Sequence, residues 1–400
     1  MGDEIKESSV LTPFTPEEFR KKYGAEVRVK SRVTAIDRKN KSVTVESEGR
    51  RYEEGYDRLL IATGAEPYRA PFPGAALPGV FTLRSLEDAE AIKKWIIERS
   101  VRKAVVIGGG YIGIETAENL KNRGIETYIV EMGEQLMTPF DPEVANRVRQ
   151  CITKNGISVQ TACKIERIDD ENGLTVQMCP EKVPADMVIL SAGVRPDTNI
   201  AHSAGLDMNR RGSIVVDNRM RTSDPDIYAV GDAVQITNFV TKEPDSVLLA
   251  GPANRQGRIA AENIAGGYKL YDGAQGSGVL KVFEMTAACT GITETKARSL
   301  GIECGAINLE YPSHAHYYPG AADIFMKVVF EKGTGRILGA QLTGEDGVDK
   351  RCDVMAAAIR MGATASDLTR FELCYAPPFG TPKDIVNVAG DLIEKKLGAE

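Results

Sequence analysis

The sequence lacks the features that would mark a membrane protein, a disulfide-bonded scaffold or a metal site. None of its apolar runs approaches the roughly 18 residues that span a bilayer. Its seven cysteines are odd in number and never form a Cys-x-x-Cys pair, which argues against a disulfide framework and against zinc. The three histidines, His202, His314 and His316, show no metal-ligand spacing. We therefore predict no bound metal and no membrane partner.

A strong charge of either sign is also absent. The formal net charge is −6 at pH 7, which gives no reason to expect nucleic acid or an anionic membrane surface as a partner. Residues 1–6 contain neither the basic and apolar regions of a signal peptide nor a serine or threonine at the myristoylation position. A cytoplasmic location is therefore expected.

Local patterns predict a chain of many short strands and helices. Thr15 is expected to cap a short helix, with Pro16 at its first position and Glu18 completing a capping box. Residues 65–79, rich in proline, alanine and glycine, are interpreted as a crossover between domains. The other predicted helices cover 85–99, 111–123, 254–264, 348–361 and 382–396. The predicted strands cover 26–35, 42–48, 56–62, 103–107, 126–130, 227–230, 280–286, 325–331 and 336–342.

One βαβ unit carries a nucleotide-binding motif. The apolar strand 103–107 runs directly into a G-x-G-x-x-G turn formed by Gly108, Gly110 and Gly113. Gly108 permits the tight turn, Gly110 lets the backbone approach a pyrophosphate, and Gly113 lets the helix pack closely on the strand. The alternative interpretation is a turn that packs a helix on a strand and binds no ligand.

The start of the helix and the end of the next strand complete this motif. Tyr111 and Ile112 lie where free N–H groups and the positive end of the helix dipole would face the phosphates. Glu131 follows the next strand, 18 residues beyond Gly113. Its carboxylate can accept hydrogen bonds from the adenosine ribose and would repel a 2′-phosphate. NADH is therefore predicted as the cofactor, and NADPH is less favoured.

Four further segments flank the nucleotide unit. They are Ile61–Ala65, Ser191–Pro196, Ile227–Asp232 and Ala250–Gly257. In these segments and their order, the chain resembles the pyridine nucleotide–disulfide oxidoreductases, which carry FAD and NAD(P)H on two Rossmann-like domains. The similarity extends over nearly all 400 residues.

The resemblance implies roles for single residues. Thr63 and Gly64 would lie beside the FAD, Gly193 in the link after the NAD domain, and Ala250 near the flavin ring. In the 227–232 segment, Gly231 precedes the aspartate, and Asp232 would accept a hydrogen bond from the FAD ribityl chain. For Asp232, a plain turn or cap residue is the alternative.

The resemblance also implies an α/β fold with two Rossmann-like domains, the first incomplete, and a C-terminal α+β dimerisation domain. A homodimer is expected, because the C-terminal domain would complete the partner's site. The predicted boundaries are 1–98 for the first part of the FAD-binding domain, 99–222 for the NAD(P)H-binding domain, 223–279 for the second part of the FAD-binding domain and 280–400 for the dimerisation domain.

The first Rossmann-like domain is expected to be incomplete. Family members begin with their own G-x-G-x-x-G unit for the ADP half of FAD, followed by a redox-active cysteine. Neither feature occurs before Ala62 in this sequence, and residues 1–55 contain no cysteine. A βαβ unit needs roughly 30 residues or more. We therefore expect a chain shortened at its front, with weak or absent FAD binding.

Several residues resemble the branch of coenzyme A-disulfide reductases, NADH oxidases and NADH peroxidases. Tyr111 matches the tyrosine that covers the flavin on its nicotinamide side, and Glu115 matches an acid one turn further along. In reductases of this branch, C-terminal tyrosines reach the partner subunit's active site and donate a proton to a thiolate. By spacing, Tyr375 is the better candidate for this role, and Tyr317 or Tyr318 the weaker. A half-buried interface tyrosine is the alternative.

None of the cysteines is an obvious replacement for the missing redox cysteine, which needs a lowered pKa beside the flavin. Cys374 is the one candidate, because its neighbour Tyr375 would bring it near an active site. Inert, buried thiols are predicted for the other six, namely Cys151, Cys163, Cys179, Cys289, Cys304 and Cys352.

These inferences together predict an FAD-dependent NADH oxidoreductase. Its expected substrate is coenzyme A disulfide or a related small-molecule disulfide or persulfide. The first alternative is an NADH oxidase or peroxidase that uses a small oxidant. The second is a catalytically inactive, truncated remnant that still binds NADH.

Overall fold

The structure of the protein, a computed structural model, describes residues 2, 5, 7–171, 173–178 and 180–399. Up to residue 98 its elements are α1 Pro16–Tyr23, β1 Ser31–Asp37, β2 Ser42–Ser47, β3 Arg50–Gly55, β4 Leu59–Ile61, β5 Ala65–Pro67, β6 Val80–Thr82 and α2 Leu86–Glu98, preceded by a 3-10 turn at Ser8–Leu11.

The middle of the chain contains most of the short strands. Its elements are β7 Lys103–Ile107, α3 Tyr111–Asn122, β8 Glu126–Val130, α4 Pro142–Lys154, β9 Ser158–Gln160, β10 Ile165–Asp169, β11 Leu174–Met178, β12 Lys182–Ala185, β13 Met187–Leu190, β14 Val194–Pro196, α5 Asn199–Ser203, β15 Ile214–Val215, β16 Ile227–Ala229, a 3-10 turn at Gly231–Ala233, β17 Val234–Thr237, β18 Pro244–Asp245 and α6 Ala250–Ile264.

The last part of the chain contains the longest strands. Its elements are β19 Gly278–Val282, β20 Met285–Gly291, α7 Glu294–Ser299, β21 Cys304–Pro312, β22 Asp323–Glu331, β23 Ile337–Gly344, α8 Val348–Met361, α9 Ala365–Arg370 and α10 Ile385–Ala399.

A five-stranded parallel sheet, in the order β6-β13-β7-β8-β9, forms the centre of the unit that the sequence predicts to bind a nucleotide, called the nucleotide-binding unit below. Strands β7 and β13 are almost wholly apolar because both faces of a central parallel strand are buried. One face packs on α2, α3 and α4, which contribute Ile92, Ile114 and Val148 to the core. The other face packs on the antiparallel sheet β10-β11-β12. The predicted α/β architecture and its βαβ unit are confirmed.

The packing favours boundaries for this unit that differ from the predicted 99–222. Strand β6 pairs with β13, so the parallel sheet already begins before residue 99. Ala201 and Ile214 pack in a different core, which contains Ile227 of β16. We therefore propose that the nucleotide-binding unit covers about 80–190.

A second unit is assembled from two distant parts of the chain. Strands β4 and β16 pair in parallel, and α6 covers their core through Ala260. Beside them lies the antiparallel sheet β1-β2-β3, whose third strand the sequence pattern does not predict because it is almost entirely polar. The two links between the units, β5 and β14, pair with each other. Residues 65–79, which the sequence analysis interprets as a crossover between domains, therefore contain the strand β5.

The C-terminal domain is built on the antiparallel sheet β19-β20-β23-β22-β21. Met355 of α8 and Ile393 of α10 are fully buried in its core. A buried ion pair joins α8 to the start of α10, where Arg351 Nη2 lies 2.9 Å from Asp384 Oδ2. Arg351 also donates a hydrogen bond to the carbonyl of Ser313. The α+β prediction for this domain is confirmed.

A buried ion cluster joins the C-terminal domain to the nucleotide-binding unit. Lys327 Nζ of β22 lies 3.2 Å from Asp141, 2.5 Å from Glu143 and 2.8 Å from Glu294, and its side chain is 3% exposed. Asp141 also accepts hydrogen bonds from the backbone N–H groups of Glu294 and Thr295. Since these charges are held in place from both domains, the cluster fixes how the two domains pack.

Hydrogen bonds and ion pairs keep this cluster charged despite burial. Burial opposes the charged form of Asp141, but hydrogen bonds led by those from Thr295 hold its pKa below the ordinary 3.8. Burial also opposes the charged form of Glu143, yet Lys327 brings its pKa below 4.5. Burial would lower the pKa of Lys327, but its acidic partners raise that pKa above 10.5.

Most predicted elements are confirmed near their predicted bounds. In the capping box of α1, Thr15 accepts a hydrogen bond from the N–H of Glu18 at 3.2 Å and donates its own N–H to that carboxylate at 2.8 Å. Helix α6 begins at Ala250, earlier than the predicted residue 254. The predicted strand 280–286 is wrong, because residues 283 and 284 form the turn between β19 and β20. Strand β21 is among the strands that have no predicted counterpart. Within the described ranges, no helix is long and apolar enough to cross a membrane.

Lys327→Met is expected to destabilise the protein by about 3–5 kcal/mol, because it leaves the buried carboxylates without a counter-charge. The matched control is Lys154→Met, which removes an ammonium that is 74% exposed in its ion pair with Glu284. That control should cost far less stability, because water screens an exposed ion pair. Urea unfolding at pH 7 measures both variants, and equal losses would contradict the role of the cluster.

The loss of stability caused by Lys327→Met should depend on pH. Because the pKa values of Asp141 and Glu143 are lowered from 3.8 and 4.5, the two carboxylates contribute their full stabilisation above these pH values. That contribution is lost as the pH falls through the lowered pKa values. The raised pKa of Lys327 gives stability that is complete below 10.5 and is lost at higher pH. The difference between the wild type and Lys327→Met should therefore be largest between about pH 5 and 10. A difference that persists unchanged at pH 2 would refute this explanation.

Candidate functional site

The glycine turn between β7 and α3 is formed by backbone packed directly on backbone. Gly108 has a φ of +113°, and a Cβ there would lie 2.2 Å from the carbonyl oxygen of Ser191. A Cβ on Gly113 would lie 2.0 Å from the carbonyl oxygen of Gly108. Both positions therefore require glycine for the fold itself, as the motif predicts.

Gly110 has a different environment. It precedes α3 with a φ of −84°, a value that any residue adopts, and a Cβ there would meet no atom within 4 Å. The missing side chain leaves open space in front of the helix N-terminus, where free N–H groups and the positive dipole end lie. This space can admit an anion such as a pyrophosphate. Ile112, in the first turn of α3, is 41% exposed.

Glu131 follows β8 and holds the loops on either side of the turn. One carboxylate oxygen accepts the N–H of Gly109 and the other accepts the N–H of Gly133, both at 2.7 Å. The sequence did not predict these two hydrogen bonds, because the motif assigns the carboxylate to the ribose alone. Each oxygen retains a second lone pair, so Glu131 can accept further hydrogen bonds from a ligand.

The turn and Glu131 line one cavity of about 600 Å³, a size in the range of ligand sites. Ser191, which packs directly against the turn, has a buried hydroxyl with no hydrogen-bond partner among the described residues. The lining consists of Tyr68, Ala70, Pro71, Phe72, Ile107, Gly108, Gly110, Val130, Glu131, Met132, Thr138, Cys163, Lys164, Ile165, Ser191, Ala192 and Gly193. These features fit a dinucleotide.

Gly193 reaches this cavity through the paired links between the units. Its φ is +99°, and its carbonyl accepts the N–H of Tyr68 at 2.9 Å. This bond continues the antiparallel pairing of β5 with β14. The link predicted to follow the NAD domain therefore forms one wall of the nucleotide cavity.

The segments predicted to contact FAD meet at one sheet edge. Because β4 and β16 are parallel, Thr63 and Gly64 lie beside Gly231 and Asp232 at their carboxyl ends. The N–H of Gly231 donates to the buried amide of Gln256 at 2.7 Å, which fixes α6 against this edge. Helix α6 itself begins with its predicted flavin contact, Ala250.

Asp232 is partly exposed at this edge, and its carboxylate lies 3.8 Å from Arg84 Nη2. Arg84 also donates to the carbonyl of Ala65 at 3.0 Å, so it bridges the two strand ends. A carboxylate held in this way can accept hydrogen bonds from hydroxyl groups. The residues present therefore fit the ribityl chain of a flavin, with Asp232 as the acceptor.

Tyr111 packs on the C-terminal domain. Its hydroxyl lies 3.7 Å from Cys289 Sγ of β20, and Gly278 leaves room for it. Burial raises the pKa of Tyr111, and burial likewise raises the pKa of Cys289, so both groups are neutral. Sequence reasoning did not predict this contact. Four residues further on, burial and then Glu118 raise the pKa of the half-buried Glu115.

The three candidate tyrosines lie outside the nucleotide cavity of the same chain. Tyr317 is 77% and Tyr375 47% exposed. A hydrogen bond with Tyr317 raises the pKa of the Tyr375 phenol. Tyr318 instead packs edge-on against His314, with ring centroids 5.9 Å apart. The structure thus brings together Tyr375 and Tyr317 but separates both from Glu131.

Burial raises the pKa of the thiols of Cys151, Cys289 and Cys352, so none of these three is an activated thiolate. Burial raises the pKa of Cys151 to about 11 and that of Cys352 to about 12. The prediction of burial is confirmed for these two and for Cys163 and Cys289. It is wrong for Cys304, which is only half-buried. Cys374 is exposed, and Cys179 lies outside the described residues.

The described residues contain no group of three or more histidine, cysteine or acidic side chains that could hold a metal ion.

Comparison with known proteins relates this geometry to a family. The family model of the pyridine nucleotide-disulphide oxidoreductases matches residues 3–259, and the model of that family's dimerisation domain matches residues 279–384.

Individual relatives agree with both matches. An NADH oxidase of Methanocaldococcus jannaschii is 35% identical over 396 residues, covering 98% of this chain and 88% of the relative. A coenzyme A disulfide reductase of Staphylococcus aureus is 31% identical over 394 residues, with the same coverage. The crystal structure of reduced Bacillus anthracis CoADR-RHD superposes with a TM-score of 0.98 at 40% identity, covering 100% of this chain and 72% of that one. The chain therefore belongs to the pyridine nucleotide-disulphide oxidoreductase family of flavin-dependent NAD(P)H oxidoreductases.

Proposed function

We propose that this chain binds NADH at the glycine turn and uses it to reduce a small disulfide. The proposal is based mainly on one cavity, which combines open space at Gly110, the N-terminus of α3 and the carboxylate of Glu131. A dinucleotide needs an anion-binding helix end for its pyrophosphate and an acceptor for its ribose hydroxyls. The cavity supplies both.

Glu131 supports NADH in preference to NADPH. Both carboxylate oxygens are fixed by backbone N–H groups, so the side chain cannot swing away to admit a 2′-phosphate without losing two hydrogen bonds. A fixed negative charge at this point repels the additional phosphate of NADPH.

The electron acceptor is inferred from the relatives. The Staphylococcus aureus relative is a coenzyme A disulfide reductase, which favours coenzyme A disulfide or a related disulfide or persulfide as substrate here. The Methanocaldococcus jannaschii relative is an NADH oxidase, which favours oxygen or peroxide as the second candidate. The dimerisation-domain match supports a homodimer.

A bound flavin would supply the redox chemistry between the nicotinamide and the disulfide. The chain's own contribution is to position the reactants. Asp232 would accept hydrogen bonds from ribityl hydroxyls, and Arg84 holds that carboxylate in place. Tyr375 keeps its proton at neutral pH because the ordinary pKa of a phenol is about 10, and its hydrogen bond with Tyr317 raises that pKa further. In the dimer it would donate this proton to a departing thiolate in the partner's site.

Gly110→Ala tests the phosphate site against a matched glycine variant. Because Gly110 has a permitted φ and open surroundings, the alanine should leave the melting temperature nearly unchanged. Its methyl group should nevertheless weaken NADH binding by roughly tenfold or more, since it occupies the approach of the pyrophosphate. Gly113→Ala should instead destabilise the fold, because its Cβ meets backbone at 2.0 Å. Undiminished NADH affinity in folded Gly110→Ala protein would rule out this phosphate site.

Glu131→Ala should weaken NADH binding by about five- to tenfold and reduce the preference over NADPH, because it removes the ribose acceptor and the repelling charge. The control is Glu134→Ala, an exposed acid in the same loop that does not line the cavity. Fluorescence titration with each nucleotide measures both effects. The assigned role fails if the Glu131 variant retains the wild-type affinity and selectivity.

The reaction itself is tested by stoichiometry with purified protein. Free thiol released in proportion to NADH oxidised supports the reductase, whereas oxygen or peroxide consumed in proportion supports the oxidase. Tyr375→Phe should lower the turnover of disulfide by roughly tenfold or more with little change in KM for NADH, because it removes a proton donor. The control is Tyr268→Phe, an exposed tyrosine on another surface.

The cofactor content distinguishes these proposals from the inactive alternative. A yellow protein with a bound-flavin spectrum excludes the remnant. A colourless protein that binds NADH but oxidises none of it supports the remnant and contradicts both enzyme proposals.

A further inference from the structure

The nucleotide cavity contains one ammonium group that the motif does not include. Among the described residues that line it, Lys164 is the sole cation and Glu131 the sole anion. Lys164 is exposed, and in the described part of the chain its ammonium has no ion-pair partner. A charged side chain on a ligand cavity with no protein counter-charge is available to bind a ligand of opposite charge.

The backbone holds Lys164 close to Glu131. The N–H of Cys163 donates to the carbonyl of Glu131 at 3.1 Å, and the N–H of Glu131 donates to the carbonyl of Gln160 at 2.8 Å. The N–H of Ala162 donates to the carbonyl of Gly133 at 2.7 Å. Residues 160–163 are thereby fixed along the segment that carries the acid, and the next residue, Lys164, lines the same rim of the cavity as Glu131.

We propose that Lys164 is a second determinant of nucleotide selectivity, which acts against Glu131 at the 2′ position of the adenosine ribose. This inference rests on the proposed binding of NADH in the cavity. Glu131 disfavours a 2′-phosphate, and Lys164 is placed to attract one. Selectivity for NADH is then the balance of two opposite charges on one rim, with the acid dominant because its carboxylate is fixed.

The experiment uses two fragments of the cofactors, ADP and 2′,5′-ADP, which differ only in where the second phosphate is attached and need no flavin or turnover. Isothermal titration calorimetry measures their affinities for the wild type, Lys164→Met, Glu131→Gln and the double variant. The matched control is Lys182→Met, an exposed lysine on β12 that does not line the cavity.

The wild type should bind ADP more tightly than 2′,5′-ADP. Lys164→Met should weaken 2′,5′-ADP by roughly tenfold while changing ADP by less than about threefold. Glu131→Gln should strengthen 2′,5′-ADP, and the double variant should lose that gain. Lys182→Met should leave both affinities within about twofold, since a distant exposed charge is screened.

Each contrary result has a distinct meaning. Equal weakening of ADP and 2′,5′-ADP in Lys164→Met places the lysine at the shared 5′-phosphates and overturns its assignment to the 2′ position. Unchanged affinity for both overturns any contact of Lys164 with the nucleotide and leaves the proposed NADH site intact. If the folded wild type binds neither fragment, the proposed function itself fails.

Discussion

The close approach of three backbone segments sets the geometry of the candidate site. The end of β7, the first turn of α3 and the end of β13 meet at Gly108, Gly113 and Ser191 with no space for a Cβ between them. This contact fixes the axis of α3, so the free N–H groups at its start face a cavity and not the core. The same absence of side chains leaves the surface in front of Gly110 open.

Charged groups then hold the elements around this turn. Glu131 ties together the loops on either side of the turn through two backbone hydrogen bonds, and the Lys327 cluster joins the same unit to the C-terminal sheet. Tyr111 meets Cys289 across that boundary. The unit that contains the nucleotide cavity is therefore in direct contact with the C-terminal domain.

The sequence predicts the parts of the fold that depend on local pattern. The capping box at Thr15, the apolar strand β7, the glycine turn and α8 follow from spacing and residue type, and the structure confirms them. The polar edge strand β3 and the strand β21 give no such pattern, because their pairing depends on distant partners. Contacts between residues that are distant in the chain also could not be predicted from the sequence. Among them are the Lys327 cluster, the two backbone hydrogen bonds to Glu131 and the position of Lys164 on the cavity rim.

The proposed function requires that this cavity bind one dinucleotide per chain through the turn ahead of α3. Calorimetric titration of folded wild-type protein with NADH measures this binding. We expect a single saturable site per chain, from which ADP displaces NADH competitively. Absence of saturable NADH binding by protein that unfolds cooperatively would contradict it.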